Sequence, residues 1–227
     1  MRLYSKRLIR SVQPRVKSHS WLEGSFHMNY KGAVSPIDKP TTEMTKREGK
    51  KYLEWYLSII PERLAYLSQT SGIDLDYSDD SLLLIWRWFL RHVETVENSL
   101  EKMNMMRTVM IRDGAHPALA DYILSKRQRS FLPGSDEMIF DISIYLGEVC
   151  RKRSDKVGWD FMDKGDCQQK KQIVLYGFED TRVDPPWQFT YNPKMNVNAL
   201  ALKVLGYEED ESDLLGLFRK MERRMKK

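Results

Sequence analysis

The sequence contains few residues of the types that form disulfides or metal sites. Among its 227 residues there are two cysteines, Cys150 and Cys167, and neither has a second Cys or a His at metal-ligand spacing. The four histidines are isolated, since none belongs to a His-x-x-x-His or Glu-x-x-His pair: His19, His27, His92 and His116. We therefore expect reduced thiols rather than a structural disulfide, and we predict no metal and no cofactor.

Long apolar runs are also missing. Before Met28 the longest apolar run is two residues, whereas a secretory signal needs an apolar stretch of about 7 to 15 residues. No later stretch approaches the roughly 18 to 20 apolar residues of a membrane span. A phosphate-binding loop, a Gly-x-Ser-x-Gly elbow and a dinucleotide fingerprint are absent as well. The sequence predicts a cytoplasmic protein that is not an enzyme of a familiar class.

Positive charge, by contrast, is concentrated at one end of the chain. Residues 1–27 contain six of the 37 basic residues and one of the 32 acidic residues, so they carry the whole net charge of +5. The remaining 200 residues are electrically balanced. The net positive charge of the chain therefore indicates an anionic partner only for this short arm. Nucleic acid is a candidate partner, which would bind through residues 2–17.

Four origins of the basic arm remain open. The apolar residues of 4–16 fall on one side of a helical wheel and most cations on the other, which is a basic amphipathic pattern. Pro14 disfavours a long continuous helix. The arm fits a disordered basic tail, a helix on an anionic membrane, a transit peptide, or an overrun ahead of a true start at Met28.

The rest of the sequence predicts a mainly α fold. Apolar residues recur at helical spacing in most segments, and residues 135–153 form the most apolar helix, which we expect to be the central buried element. Between residues 157 and 191 apolar and polar residues alternate instead, which is typical of strands. We predict six to eight helices with a small antiparallel sheet near 157–191, in a single domain over 41–227 that follows a mobile basic arm over 1–40.

Capping residues predict where the helices begin and end. Thr45 with Glu48 forms a capping box, and Asn192 followed by Pro193 starts a later helix that we expect to run through Leu205. Ser135 is the expected cap of the apolar helix, and Gly206 the expected left-handed stop. The last helix is expected to carry five acidic residues at its start: Glu208, Glu209, Asp210, Glu211 and Asp213.

A local motif joins the end of the apolar helix to the sheet. It consists of five residues: Tyr145, Gly147, Glu148, Arg151 and Trp159. Glycine inside a helix indicates close approach by another group, for which the Trp159 ring is the candidate, and Glu148 lies at ion-pair spacing from Arg151. The stretch from Tyr145 to Trp159 resembles a helix-then-Trp signature of uncharacterised bacterial domains, some of them suspected immunity proteins that neutralise toxins of neighbouring cells. The resemblance assigns no catalytic residue.

Two acidic residues of the same helix have a second interpretation. Asp141 and Glu148 lie seven residues apart, which places them on one face about 10 Å apart along the axis. In a cleft, such a pair can act as acid and base of a hydrolase. We favour the structural interpretation, in which both carboxylates anchor a buried helix by pairing with cations or by accepting hydrogen bonds from backbone N–H groups.

The leading hypothesis is a cytosolic protein-binding module of immunity or antitoxin type, acting by steric occlusion. Its predicted partner surface combines acidic and aromatic residues: Asp184, Trp187, Glu208, Glu209 and Asp210. The Asp-Pro-Pro-Trp stretch also fits a plain turn before a strand with a core Trp. The second hypothesis is a nucleic-acid-associated protein that uses the basic arm and the basic C-terminal turn, and the third is a hydrolase.

Overall fold

The fold is mainly α with a small antiparallel sheet, as the sequence predicts, and it also contains a second, two-stranded sheet. The structure is a computed structural model that describes residues 30–163 and 170–226. These residues form seven α-helices: α1 (Lys46–Ser71), α2 (Asp79–His92), α3 (Leu100–Arg112), α4 (Pro117–Ser125), α5 (Ser135–Arg153), α6 (Pro193–Ala201) and α7 (Asp213–Glu222). No helix in the described ranges is long and apolar enough to span a membrane.

Helix α5 is the centre of the molecule. Every residue from 141 to 150 is buried, and α1, α2, α6 and α7 all pack against this helix. A continuously apolar helix surrounded by others is the arrangement that removes all of its faces from water. Cys150 lies here as a free thiol whose pKa is raised by burial, whereas Cys167 lies outside the described residues.

Strands β3 (Gly158–Met162), β4 (Gln172–Asp180) and β5 (Trp187–Tyr191) form the predicted antiparallel sheet in that order. Strand β3 pairs with residues 172–176 of β4. Beyond that point the C-terminal residues continue the same edge, because Met225 bridges to Phe178. A further ladder of β1 (Thr95–Glu97) and β2 (Arg129–Phe131) was not anticipated, since three-residue strands contain too little alternation to detect.

Several predicted helix ends were wrong. Gly134, not Ser135, occupies the N-cap position of α5. Helix α6 ends at Ala201 and a 3₁₀ turn spans Leu202–Gly206, so the left-handed residue is Tyr207 rather than Gly206. Helix α7 begins at Asp213, and residues 208–211 lie in the loop before it.

The capping box at the start of α1 is formed as the sequence predicts. Thr45 Oγ1 accepts a hydrogen bond from Glu48 N (3.3 Å), and Glu48 Oε2 accepts one from Thr45 N (2.8 Å). Lys39 adds an ion pair to Glu48 (2.7 Å). Hydrogen bonding by Lys39, and then by Thr45, lowers the pKa of the Glu48 carboxyl from 4.5 to about 2. Because the folded-state pKa is depressed, this stabilisation is present above about pH 4.5 and is lost as the pH falls toward 2.

Replacing Thr45 with Ala is expected to lower the free energy of unfolding by about 1 kcal/mol, because the first turn of α1 loses its cap. It should also raise the pKa of Glu48 toward its ordinary value. Urea denaturation and NMR titration of the Glu48 carboxyl measure the two effects. Thr42→Ala, in the preceding turn, is the control, and equal behaviour of the two variants would contradict the capping role.

Candidate functional site

Asp141 lies at the centre of α5 and is fully buried. Arg63 donates two hydrogen bonds to it, from Nε to Oδ1 (2.8 Å) and from Nη2 to Oδ2 (2.6 Å). The Tyr30 hydroxyl donates a third to Oδ2 (2.5 Å). Burial raises the pKa of Asp141, while Arg63 and Tyr30 oppose that rise. The carboxylate therefore links both α1 and the segment that precedes α1 to the central helix α5.

Burial, followed by the charge of Asp141, also raises the pKa of the Tyr30 hydroxyl, which stays protonated as the donor. Arg63 Nη2 donates in addition to the carbonyl of Lys31 (2.7 Å). The domain prediction assigned residues 1–40 to a mobile basic arm, of which residues 1–29 lie outside the described residues. The structure attaches Tyr30 and Lys31 to the core through these contacts.

Glu148 is the second buried carboxylate of α5. Trp159 Nε1 donates to its Oε1 (2.7 Å), and Arg151 Nη1 lies 2.9 and 3.1 Å from its two oxygens. The Trp159 ring covers Gly147 so closely that a Cβ atom there would lie 2.1 Å from Trp159 Cζ2. Four of the five motif residues thus form one cluster. Tyr145 instead contacts the start of α2, through Ser81 Oγ (2.5 Å) and Tyr77 N (3.0 Å).

Neither carboxylate lines a described cavity. The lining of a small cavity of about 90 Å³ includes Tyr56, Phe140 and Trp159, but neither Asp141 nor Glu148. Both acids have cationic partners, Arg63 for Asp141 and Arg151 for Glu148, and both connect the central helix to other elements. Their geometry is that of packing contacts between elements.

The predicted acidic and aromatic partner surface is divided between two parts of the molecule. Trp187 and Asp184 are exposed at the beginning of β5. The acidic stretch Glu208, Glu209 and Asp210 is also exposed, but it contacts the helices: Glu208 pairs with Lys126 of the α4 C-terminus, and the Asp210 carbonyl accepts from Trp86 Nε1 of α2 (3.0 Å).

Trp187 borders an open groove of about 770 Å³ beside β5. Aromatic side chains of β4 and β5 form part of its wall, among them Tyr176, Trp187 and Phe189. Three cations also line it: Lys156, Arg224 and Lys226. We call this feature the β5 groove. Sequence reasoning singled out Trp187 but not the groove, because the residues that line the groove come from segments that are distant in the sequence.

A second exposed surface belongs to α3 and α4. None of the 13 residues of α3 is buried, and large apolar side chains of both helices face solvent: Leu100 (78% exposed), Met105 (61%), Val109 (39%), Leu119 (51%) and Tyr122 (63%). We call this pair of helices the α3–α4 hairpin. The sequence indicated only a Met-rich helix here, since spacing alone does not show that an apolar face lacks a covering element.

The described residues contain no group of three or more His, Cys, Asp or Glu side chains placed to hold a metal ion. No protein-family model, curated protein or solved structure matches this chain.

Proposed function

We propose that this protein is a protein-binding module of immunity or antitoxin type that acts by steric occlusion, and that it contacts its partner through the α3–α4 hairpin. The observation that carries the proposal is that a complete helix of 13 residues contributes nothing to the core. Its exposed apolar side chains gain little stabilisation from the fold of this chain, and exposed apolar surface of this kind marks protein contacts.

The composition of the hairpin suits a protein partner. Residues 100–125 contain three acidic and three basic side chains, so the surface is neutral. Met105 is exposed, and three neighbouring methionines are half-buried: Met103, Met106 and Met110. Such flexible apolar side chains adapt to a partner surface. Tyr122 adds an exposed ring with a polar end, a residue type that is enriched among interface hot spots. Apolar burial therefore dominates the expected contact.

The hairpin is also held in place before any partner arrives. Arg107 donates two hydrogen bonds to Asp121, from Nε (2.6 Å) and Nη2 (3.2 Å), which join α3 to α4. Ala120 and Leu124 anchor α4 in the interior. Because less ordering is needed on association, such a preformed surface binds at lower entropic cost.

The resemblance of residues 145–159 to suspected immunity proteins favours a heterologous partner over a second copy of this chain. An immunity protein is expected to be encoded beside its toxin, so the polypeptide encoded by the adjacent gene is the probe. Occlusion requires a tight complex, in which a few central apolar side chains contribute most of the binding energy.

The combined variant Met105→Glu and Tyr122→Ala is expected to weaken binding of that polypeptide at least about 100-fold, because a charge enters the apolar contact and a large ring is lost. Isothermal titration calorimetry measures the affinity. Wild-type affinity should change little between low and high salt, since the hairpin carries no net charge.

The matched control is Leu84→Glu, which places the same charge at an exposed leucine of α2 and should leave the affinity unchanged. Light scattering on the free protein tests the alternative occupant. A dimer that dissociates when Met105 becomes Glu would contradict the proposal, as would a failure of the wild-type protein to bind the adjacent polypeptide.

A further inference from the structure

The β5 groove lies apart from the α3–α4 hairpin and is built from different chemistry. Along β5 the rings of Trp187 and Phe189 stack with centroids 5.6 Å apart and planes 29° apart, and Phe189 meets Tyr191 edge to face at 5.3 Å. Trp187, at the outer end of this row, is 65% exposed. One broad ring face is therefore available to a planar ligand.

Cations accompany the aromatic row. The guanidinium of Arg224 lies 5.6 Å from the centre of the Phe189 ring, and Lys156 and Lys226 also line the groove. An adjoining depression of about 400 Å³ shares Tyr191 and Arg224 with the groove, and it adds further cations: Arg182, Lys220 and Arg223.

Acidic side chains are few along this path. The lining of the two depressions includes only Glu179 and Asp180, and Asp180 is hydrogen-bonded to Arg182 (2.8 Å). Residues 28–227 are electrically balanced as a whole, so the excess of cations here is a local property of the surface. Local positive charge beside low-dielectric rings attracts polyanions.

Backbone contacts hold the cationic side of the groove. Glu179 N donates to the Arg224 carbonyl (2.8 Å), Lys226 N donates to the Gly177 carbonyl (2.9 Å), and Ser154 Oγ donates to the Lys226 carbonyl (2.7 Å). Gly177 has a φ of +96°, and a Cβ atom there would lie 2.2 Å from the carbonyl oxygen of Lys156. This close approach brings Lys156 next to the sheet.

We propose that the β5 groove binds single-stranded nucleic acid, with bases stacking on Trp187 and phosphates paired with the cations of the groove. A row of rings flanked by cations is the arrangement that single strands require, because each nucleotide presents one planar base and one negative charge. An acidic peptide would pair with the cations but would present no planar group at each repeat to the exposed ring face. On this proposal, the cations of the basic C-terminal turn bind phosphate on the surface of the folded domain.

The test uses the full-length protein and a fluorescein-labelled dodecathymidylate, with binding followed by fluorescence anisotropy. Trp187→Ala is expected to weaken binding about tenfold or more through loss of a stacked base. Its matched control is Tyr207→Ala, which removes a similarly exposed ring (59%) from the loop before α7 and should have no effect.

Charge is tested by Lys156→Glu combined with Lys226→Glu, two of the three cations that line the groove. If both cations pair with phosphate, the slope of log affinity against log salt concentration should become shallower by about 1.4. The control is Lys50→Glu combined with Lys51→Glu on exposed positions of α1. The basic residues at 2–17 are present in every variant, so their attraction for the oligonucleotide cancels in each comparison.

Two outcomes would overturn the proposal. Wild-type affinity in both groove variants would show that the oligonucleotide binds elsewhere. A dodecaglutamate peptide that binds more tightly than the oligonucleotide, with the same dependence on Trp187, would assign the groove to acidic polypeptides instead. Because the α3–α4 hairpin is unaltered throughout, either outcome leaves the proposed protein contact to its own test.

Discussion

Replacing Arg63 with Met is expected to lower the free energy of unfolding by about 3 to 5 kcal/mol, the largest effect that we predict for any single substitution. Asp141 would keep only the Tyr30 hydroxyl as a side-chain donor, in a site where the carboxylate has no access to water. A buried charge that loses its counter-ion costs far more than the pair itself contributes. Urea denaturation followed by circular dichroism measures the loss.

Two further variants separate the charge from the packing. Arg63→Lys keeps a cation but loses the two parallel hydrogen bonds, so its stability should lie between those of the wild type and Arg63→Met. In the double variant Arg63→Met and Asp141→Leu no charge is left unpaired, and part of the stability should return. If the free energy of unfolding of Arg63→Met lies within about 1 kcal/mol of the wild-type value, Arg63 does not stabilise the buried Asp141 carboxylate.

Replacing Gly147 with Ala is expected to lower the free energy of unfolding by about 1 to 3 kcal/mol. On helix propensity alone the change would stabilise α5 by up to about 1 kcal/mol, so the expected sign depends on the Trp159 ring. That ring cannot easily withdraw, because Nε1 is bonded to Glu148 and the ring packs edge to face on Tyr56 at 5.2 Å.

Gly216→Ala in α7 is the matched control. It also lies within a helix, but a Cβ atom there meets nothing within 4 Å, so this variant should be as stable as the wild type or more stable. Near-ultraviolet circular dichroism should report a displaced Trp159 only in Gly147→Ala. Equal stability of Gly147→Ala and the wild type would show that the ring does not cover the glycine as closely as described.

Features encoded in short stretches of sequence were predictable. Alternation of apolar residues located the sheet near 157–191, and the capping residues at Thr45 and Asn192 located two helix starts. The contact of Trp159 with Gly147 also followed from the sequence, since a glycine inside an apolar helix indicates close approach by another group and Trp159 was the candidate ring. Each of these signals operates over a dozen residues or fewer.

Features that depend on distant segments were not predictable. Arg63 lies 78 residues from Asp141, and nothing in its surroundings distinguishes it from the other cations of α1. The β5 groove combines residues near 156, 187 and 224, so its positive charge is hidden in a balanced total. The exposure of α3 is likewise a property of the whole fold, because its Met-rich spacing also suits a buried helix.

Hydrogen exchange of the free protein and of its complex with the polypeptide encoded by the adjacent gene tests the protein-binding function most directly. Backbone amides covered by a partner exchange more slowly. We predict that slowing on complex formation is greatest across residues 100–125, in α3 and α4. A complex that slows exchange elsewhere and leaves α3 unchanged would contradict the account.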